Sequence, residues 1–236
     1  MNRVDVSVLL VSWNTRDLTL AALDSLPTAA GGDVGYEVIA VDNGSRDGSG
    51  EALARRPDVE FIQNESNLGY AAAVNQAYRH AGGEFVLLLN SDVRLRPGSL
   101  GELVRFVRER YEAAGVAPLY VGSDGSQQAE YYRLPTFATA LALATGLRLL
   151  PPFRSRFRAY RMLDEDFSEP RPVPQPSASC LLLRSCLPDG NLLDERYPIF
   201  FNDVDLARRL AEAGHELWMT PTAIAEHELG ASTRLL

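Results

Sequence analysis

The first half of the chain alternates short apolar runs with segments of helical pattern, and this alternation limits the possible folds more than any other feature. The apolar runs predict buried strands, and the segments between them predict helices: strands at 6–13, 36–43, 59–64 and 85–89, and helices at 18–26, 49–55 and 70–81. Strands and helices at this spacing are joined by right-handed crossovers, which give a parallel sheet with helices on both faces. The sequence therefore predicts an α/β fold with a doubly wound, mostly parallel central sheet.

Polar residues concentrate where the predicted strands end. The strand at 85–89 stops abruptly in Asn90, Ser91 and Asp92, and the other strands lead into SWNTRD, VDNGSRDGS and NESNLGYAAAVN. Taken alone, Asp92 is better explained by an Asx-type turn that closes the strand. In a doubly wound sheet, however, all four segments lie at one edge, outside the carboxyl ends of the strands, where nucleotides bind.

Two phosphate-binding signatures are absent from the sequence, namely the fingerprint GxGxxG and the P-loop GxxxxGK[ST]. Their absence argues against a dehydrogenase and against a P-loop NTPase. A divalent metal can neutralise a diphosphate without a glycine cradle. Asp92 is the candidate ligand for such a metal.

Composition excludes several other classes of protein. The 236 residues are 46% hydrophobic, enough for one sizeable core or for two half-domains that share an interface. The formal net charge of −8 argues against binding nucleic acid. Cys180 and Cys186 have neither metal-finger nor CxxC spacing, so a reducing cytosol is expected. Arg3 and Asp5 lead directly into the first strand, which argues against a signal peptide.

The segment 136–161 is the most apolar later part of the chain and ends in positive charge. Gly146, Arg148 and two prolines break its apolar run, which therefore falls short of a spanning helix of ~20 residues. The end of the segment combines three aromatic residues with four arginines: Phe153, Phe157 and Tyr160 with Arg154, Arg156, Arg158 and Arg161. Such a surface suits an anionic membrane interface. A loop that packs on the protein itself explains it equally well.

Five motifs occur in a characteristic order, namely VSVLLVSWN, VIAVDNGSRDGS, NLGYAAAVNQA, FVLLLNSDV and FFNDVDLARRLAEAGHELWMTPTAIAEH. Together they resemble the inverting family 2 glycosyltransferases of GT-A fold, a Rossmann-like fold, and are most similar to the branch of bacterial rhamnosyltransferases and galactofuranosyltransferases. The similarity runs from Val6 to about His227. It implies one GT-A domain over 1–236, with a nucleotide-sugar-binding half at 1–113 and an acceptor-binding and catalytic-base half at 114–236.

The resemblance implies roles for particular residues. Asp42 matches the aspartate that holds the uracil or thymine base, and Asn90, Ser91 and Asp92 occupy the place of the DxD motif. The implied nucleotide-sugar site consists of Val11, Ser12, Trp13, Asn14, Asp42, Asn43, Asn67, Gly69, Asn75, Asn90, Ser91 and Asp92. The implied metal ligands, for Mg²⁺ or Mn²⁺, are Asp92 and His227.

Two positions depart from the family pattern. Asn90 replaces the first aspartate of DxD, which leaves one carboxylate fewer and suggests weaker metal binding. Asn202 replaces the acidic residue before the implied base Asp203, so a contact to the acceptor hydroxyl is expected to differ. Asn202 is still the implied acceptor-binding residue.

The implied reaction is metal-assisted direct displacement from a dTDP- or UDP-sugar, with dTDP-rhamnose expected, onto a glycan or lipid-linked acceptor in cell-surface polysaccharide synthesis. The implied location is cytoplasmic, at the inner face of the cytoplasmic membrane. A sugar nucleotidyltransferase would need a glycine-rich, lysine-containing first loop, which SWNTRDLTL lacks. A non-catalytic nucleotide-sugar-binding module would keep the crevice but would have no use for Asp203 or His227.

Helix geometry separates the two aspartates of NDVDLARRLAEAG. Asp203 and Asp205 stand two residues apart, which turns the side chains by about 200°. Asp203 falls within the apolar stripe and should face the protein, whereas Asp205 can pair with Arg209 at i+4. Asp203 is therefore the predicted base. An N-cap role is the alternative for Asp203, although Asn202 could take that position instead.

Overall fold

The first half of the chain folds as the alternation of the sequence predicts. The structure, a computed structural model, describes residues 4–145, 151–185 and 191–228. The elements of the first half are β1 (Val6–Ser12), α1 (Arg16–Ala30), β2 (Tyr36–Asp42), α2 (Ser49–Ala54), β3 (Glu60–Gln63), α3 (Tyr70–Tyr78) and β4 (Phe85–Asn90). Every residue of β1 is buried, which explains why its sequence is almost entirely apolar.

The second half is built from shorter and less regular elements. They are β5 (Val93–Leu95), α4 (Ser99–Glu109), β6 (Ala113–Val121), β7 (Tyr131–Tyr132), α5 (Phe137–Thr145), α6 (Pro151–Tyr160), β8 (Arg171–Pro172), β9 (Gln175–Pro176), β10 (Cys180–Arg184), α7 (Asn202–Glu212) and β11 (Glu216–His227). Cys180 is fully buried in β10, whereas Cys186, Gly146 and Arg148 lie outside the described residues.

Within the described residues, one nine-stranded sheet runs in the order β3-β2-β1-β4-β10-β6-β11-β5, with β8 beside β11. The strands β3, β2, β1 and β4 are mutually parallel, and so are β6 and β11, while β10 is antiparallel to both β4 and β6. The chain steps outward from β1 to β3 and then returns past β1 to β4. Right-handed crossovers in opposite directions place helices on both faces. The predicted α/β fold with a mostly parallel sheet is confirmed.

Two predicted helix boundaries differ from the structure by three residues or more. Helix α1 continues past the predicted end at 26, because Ala29 and Ala30 still pack in the core, and Gly31 ends it with a φ of 69°. Helix α3 stops at Tyr78, three residues before the predicted end at 81. None of the helices in the described part of the chain is long and apolar enough to cross a membrane.

Strand pairing brings the ends of distant strands to one edge of the sheet. Ser12 pairs with Asp42, and Val11 pairs with Asn90, so three strands end side by side. His227, the last residue of β11, pairs with Val93 of the antiparallel strand β5. This pairing places His227 next to the Asp92 that precedes β5.

Candidate functional site

A cavity of about 490 Å³ lies at this edge of the sheet. Most of the predicted site residues line it, namely Val11, Trp13, Asn43, Asn67, Asn90, Ser91, Asp92, Asn202, Asp203 and His227. They come from both halves of the chain, residues 1–113 and residues 114–236. The structure therefore brings the proposed metal ligands and the proposed base into one cavity.

Five predicted donor-site residues do not line this cavity, namely Ser12, Asn14, Asp42, Gly69 and Asn75. The hydroxyl of Ser12 is 2.8 Å from that of Thr19. The amide oxygen of Asn14 accepts a hydrogen bond of 2.8 Å from the backbone N–H of Arg46, and so ties the loop after β1 to the loop after β2. These two side chains fix the loops around the cavity.

Asp42 is completely buried at the end of β2. Its Oδ2 accepts hydrogen bonds from the backbone N–H of Ser45, at 3.0 Å, and from the amide of Gln63, at 2.6 Å. Its Oδ1 has no hydrogen-bond partner among the residues that the structure describes. A buried carboxylate oxygen that receives no hydrogen bond from the protein can accept a hydrogen bond from a ligand, provided that the neighbouring loop opens.

An amide network fixes the loop after β3. Asn43 donates from Nδ2 to Asn67 Oδ1, at 2.9 Å, and accepts at Oδ1 from Asn64 Nδ2, at 3.0 Å, and from the N–H of Leu68. Asn64 is bonded in turn to Gln76 of α3. Both polar ends of Asn43 are thus used, which holds the 64–69 loop on the end of β2.

Asp92 and His227 form a buried pair at the base of the cavity, with 4% and 6% of their surface exposed. The distance between His227 Nε2 and Asp92 Oδ1 is 3.5 Å. On the other side of the ring, Nδ1 lies 3.9 Å from Glu130 Oε1. Burial by itself lowers the pKa of His227, but the hydrogen bond and charge of Asp92, together with the charge of Glu130, outweigh burial and raise that pKa above its usual value.

The Asp92 and His227 pair suits a divalent metal that is shared with a diphosphate. Among the described residues, no group of three or more His, Cys, Asp or Glu side chains could hold a metal ion by itself. Mg²⁺ is commonly held by one or two carboxylates plus substrate phosphates, and an imidazole ligand is favoured by softer divalent metals. The donor set therefore fits a metal whose remaining ligands are phosphate oxygens and water.

Asp203 also lines the cavity, from the first turn of α7. Its Oδ2 accepts a hydrogen bond of 3.1 Å from Gln175, and its Oδ1 accepts one of 2.8 Å from the N–H of Val204. Burial raises the pKa of Asp203, although these hydrogen bonds lower it in part. Asp205 instead pairs with Arg209, from Nε to Oδ2 at 2.8 Å, as the helix projection predicts.

The N-cap alternative for these residues is wrong. The N-cap position of α7 is occupied by Phe201, with a φ of 66°, so Asn202 and Asp203 both lie inside the helix. The amide of Asn202 donates a hydrogen bond of 2.7 Å to the carbonyl of Ile199, and its side chain is buried. Asn202 thus lines the cavity while it holds the turn that leads into the helix.

Sequence reasoning did not single out several residues that line the cavity, namely Tyr70, Glu130, Tyr132, Ser177, Ala178, Ser179, Ile199, Phe200 and Phe201. Glu130 is a buried carboxylate, and burial raises its pKa. Burial also raises the pKa of Tyr132 to about 12, and the charge of Glu130 adds to this effect. The one signal in the sequence was a lone acidic residue in the short run AEYY.

The fold and this cavity together are typical of one class of protein. Comparison with known families identifies that class. The chain belongs to the family described as glycosyl transferase family 2, whose model matches residues 7–168. Two solved structures share the fold. The Pyrobaculum calidifontis mannosyltransferase PcManGT with GDP-Man and Mn²⁺ has a TM-score of 0.65 at 18% identity, and S. aureus TarS with UDP has one of 0.62 at 18%.

The amino-acid sequence of the chain is also similar to that of a mycobacterial enzyme. The chain is 34% identical over 213 residues to the N-acetylglucosaminyl-diphospho-decaprenol L-rhamnosyltransferase of Mycobacterium tuberculosis, which covers 83% of this chain and 67% of the relative. The match to PcManGT covers 99% of this chain and 60% of that chain, and the match to TarS covers 93% and 60%. The chain thus spans about three fifths of the solved structures that it matches.

Proposed function

We propose that this protein is an inverting glycosyltransferase that moves rhamnose from a dTDP-sugar, or a related sugar from a UDP-sugar, to a glycan or lipid-linked acceptor in cell-surface polysaccharide synthesis. One observation carries the proposal: the same cavity is lined by the Asp92 and His227 pair and by the partly buried carboxylate of Asp203. The name of the mycobacterial relative supports rhamnose and a lipid-linked acceptor.

Asp92 and His227 would hold Mg²⁺ or Mn²⁺ together with the diphosphate of the donor. When bound, the metal supplies electrostatic stabilisation of the negative charge that develops on the leaving diphosphate. The rest of the donor site would be formed by Val11 and Trp13 beside the nucleotide, and by Asn67, Asn90 and Ser91 around the diphosphate and sugar. Asp42 would accept from the nucleotide base through its Oδ1.

Asp203 would act as the general base for the acceptor. Its carboxylate takes the proton of the acceptor hydroxyl as the oxygen of that hydroxyl bonds to the anomeric carbon, and the bond from that carbon to the diphosphate oxygen breaks. The bonding electrons leave with the diphosphate. Attack from the side opposite the leaving group inverts the anomeric centre with one base, and a raised pKa makes a carboxylate a better base.

The sharpest test compares the two aspartates of α7. Asp203→Asn should lower the transfer rate by about 10²–10⁴-fold, the usual contribution of a general base. It should leave the melting temperature and the affinity for dTDP with Mn²⁺ nearly unchanged. The matched control is Asp205→Asn, whose amide oxygen can still accept from Arg209, and which should keep most of the activity. The reverse pattern would reassign the base, and donor binding without any turnover in the unaltered protein would favour a binding module.

The exposed side chains of α5 and α6 support the proposal of a membrane-associated acceptor. Phe137 is 85% exposed, Leu141 is also exposed, and Arg154 and Arg156 of the neighbouring helix are exposed to solvent. Exposed apolar and basic side chains together favour an anionic lipid surface. Co-sedimentation with anionic and neutral vesicles tests this part. Equal pelleting with both, unchanged in an Arg154→Glu, Arg156→Glu variant, would remove the membrane from the proposal.

A further inference from the structure

Asn75 of α3 is turned away from the cavity and towards the segment that precedes α7. Its Nδ2 donates to the carbonyl of Leu193, at 2.8 Å, and to Glu195 Oε1, at 3.0 Å. Its Oδ1 accepts from the N–H of Leu193, at 3.0 Å. The side chain is only 1% exposed. Both ends of the amide are therefore used on a segment that lies more than one hundred residues further along the chain.

Gly69 brings the same helix against the same segment at a second point. The backbone N–H of Ala71 donates to the carbonyl of Pro198, at 3.2 Å. A Cβ on Gly69 would lie 2.9 Å from Pro198 Cβ and 3.0 Å from its carbonyl oxygen, and the φ of Gly69 is 90°. The close approach and the positive φ both require glycine here.

The segment 192–201, called the base segment, leads directly into the helix that carries Asp203. At its start, the carbonyl of Leu192 accepts a hydrogen bond of 2.7 Å from Arg209 of α7. At its end, Ile199, Phe200 and Phe201 line the cavity. The base segment, which is described over its whole length, contains no strand or helix of its own, so its position depends on its contacts with α3 and α7 and on the burial of Leu192 and Leu193.

We infer that Asn75 and Gly69 are positioning residues, which hold the base segment on α3 and thereby set where Asp203 stands relative to the donor. This inference, called the Asn75 clamp, rests on the proposed role of Asp203 as base. It differs from the role that the sequence motif implies, in which Asn75 borders the nucleotide and the sugar. A buried amide whose donors and acceptor are already bonded to the protein is not free to recognise a ligand.

The neighbouring residue Gln76 offers a matched control on the same helix. Its amide is hydrogen-bonded to Asn64 in the amide network of the loop after β3, at 2.8 and 3.0 Å, rather than to the base segment. Asn75→Ala and Gln76→Ala thus each remove one amide from α3. Only the first removes the bonds to Leu193.

The experiment is a double-variant cycle with Asp203→Asn, with transfer rate and dTDP–Mn²⁺ affinity as the two measurements. Asn75→Ala should lower kcat by about 10²-fold, the cost of a displacement of about 1 Å in a catalytic group. The affinity for dTDP with Mn²⁺ should not change. In the Asp203→Asn background, Asn75→Ala should lower the residual rate by no more than about twofold, because a misplaced base costs nothing once the base is gone. Gln76→Ala should lower the rate by the same factor in both backgrounds.

A second variant and a local measurement guard against loss of folding. Glu195→Ala removes only one of the two acceptors of the Asn75 amide and changes an exposed residue, so it should retain the fold with a smaller loss of kcat. Hydrogen exchange at the Leu193 amide should be faster in Asn75→Ala than in Gln76→Ala, because only the first removes its acceptor.

The outcomes separate the clamp from the proposed function. Three outcomes would each overturn the clamp and leave the base assignment of Asp203 untouched. They are losses of rate that multiply in the double variant, a weaker affinity for dTDP in Asn75→Ala, and unchanged hydrogen exchange at Leu193. A fully active Asp203→Asn variant would contradict the base assignment in the proposed function, and that single variant reports this by itself.

Discussion

Two parts of the cavity lining, the proposed metal side and the proposed base side, are built in different ways. The metal side consists of Asp92 and His227, which are both buried and stand at the ends of paired strands. The base side consists of Asp203 and the end of the base segment, where Phe200 and Phe201 are 60% and 59% exposed. Strand register fixes the first, whereas side-chain contacts to α3 and α7 fix the second.

This difference suggests that binding and turnover can be altered separately. A pair held by a hydrogen-bonded sheet keeps its position when a nearby side chain changes, so loss of donor binding should require loss of a ligand itself. A carboxylate on a helix that follows an irregular segment is more easily displaced, and small displacements lower rates strongly. Changes on the metal side should therefore affect affinity, and changes on the base side should affect kcat.

The largest effect is expected from Asp92→Ala. Removing this carboxylate should abolish the Mn²⁺-dependent part of dTDP binding, with the fold intact, as isothermal titration with and without Mn²⁺ would measure. His227→Ala should weaken the same binding by less, because a carboxylate supplies more of the charge. Unchanged affinity in Asp92→Ala would remove this residue from the metal site, and an equal or greater loss in His227→Ala would reverse the order of the two ligands.

An intermediate effect is expected from Gly69→Ala on the base side. The positive φ alone should cost about 1–3 kcal/mol of folding free energy, and the contact with Pro198 adds to this cost. Gly98→Ala is the control, because Gly98 has a φ of 78° and nothing within 4 Å of the position that a Cβ would occupy. Urea unfolding should show a greater loss for Gly69→Ala, and kcat should fall only in that variant. Equal losses in the two would mean that the approach to Pro198 is unimportant.

The smallest effect is expected from Gln175→Ala, which removes a hydrogen bond that lowers the pKa of Asp203. The base works only when deprotonated, so the rate falls as the pH drops through the pKa of Asp203, which burial already raises. Without Gln175 that pKa should rise further, and the acidic limb of kcat/KM should move to higher pH. Gln128→Ala is the control, since its amide bonds the carbonyl of His227 instead. An acidic limb that stays in place would argue that another group limits the rate.

The sequence predicted the strands of the first half and the place of Asp92 after β4 well, for a physical reason. Strands buried on both faces must be apolar along their whole length, so their ends are easily located, and Asp92 stands at such an end. The resemblance added His227, whose partner is more than one hundred residues away. Helix periodicity was enough to separate Asp203 from Asp205, because that argument needs only local geometry.

The remaining parts of the site depend on pairings that no local pattern encodes. Ser177 and Ser179 reach the cavity because β10 inserts antiparallel between β4 and β6. Glu130 comes after β6 in the chain, and His227 ends β11. The two side chains lie close together only because β6 and β11 pair in the sheet. For Asn75 the motif gave the residue but not the direction of its amide, which depends on where the base segment crosses α3.

Because the pairing of β11 is irregular, the orientation of His227 depends on the number of residues that precede it in this strand. Between Thr220 and Ile224, β11 advances by four residues while its partner β6 advances by one, from Pro118 to Leu119, so β11 carries a surplus of three. Side chains alternate along a strand, so one residue more or fewer in this stretch would exchange inward and outward positions for everything that follows. Gain or loss of a single codon at 221–223 would turn His227 away from Asp92. Selection should therefore hold the length of this stretch more tightly than its composition.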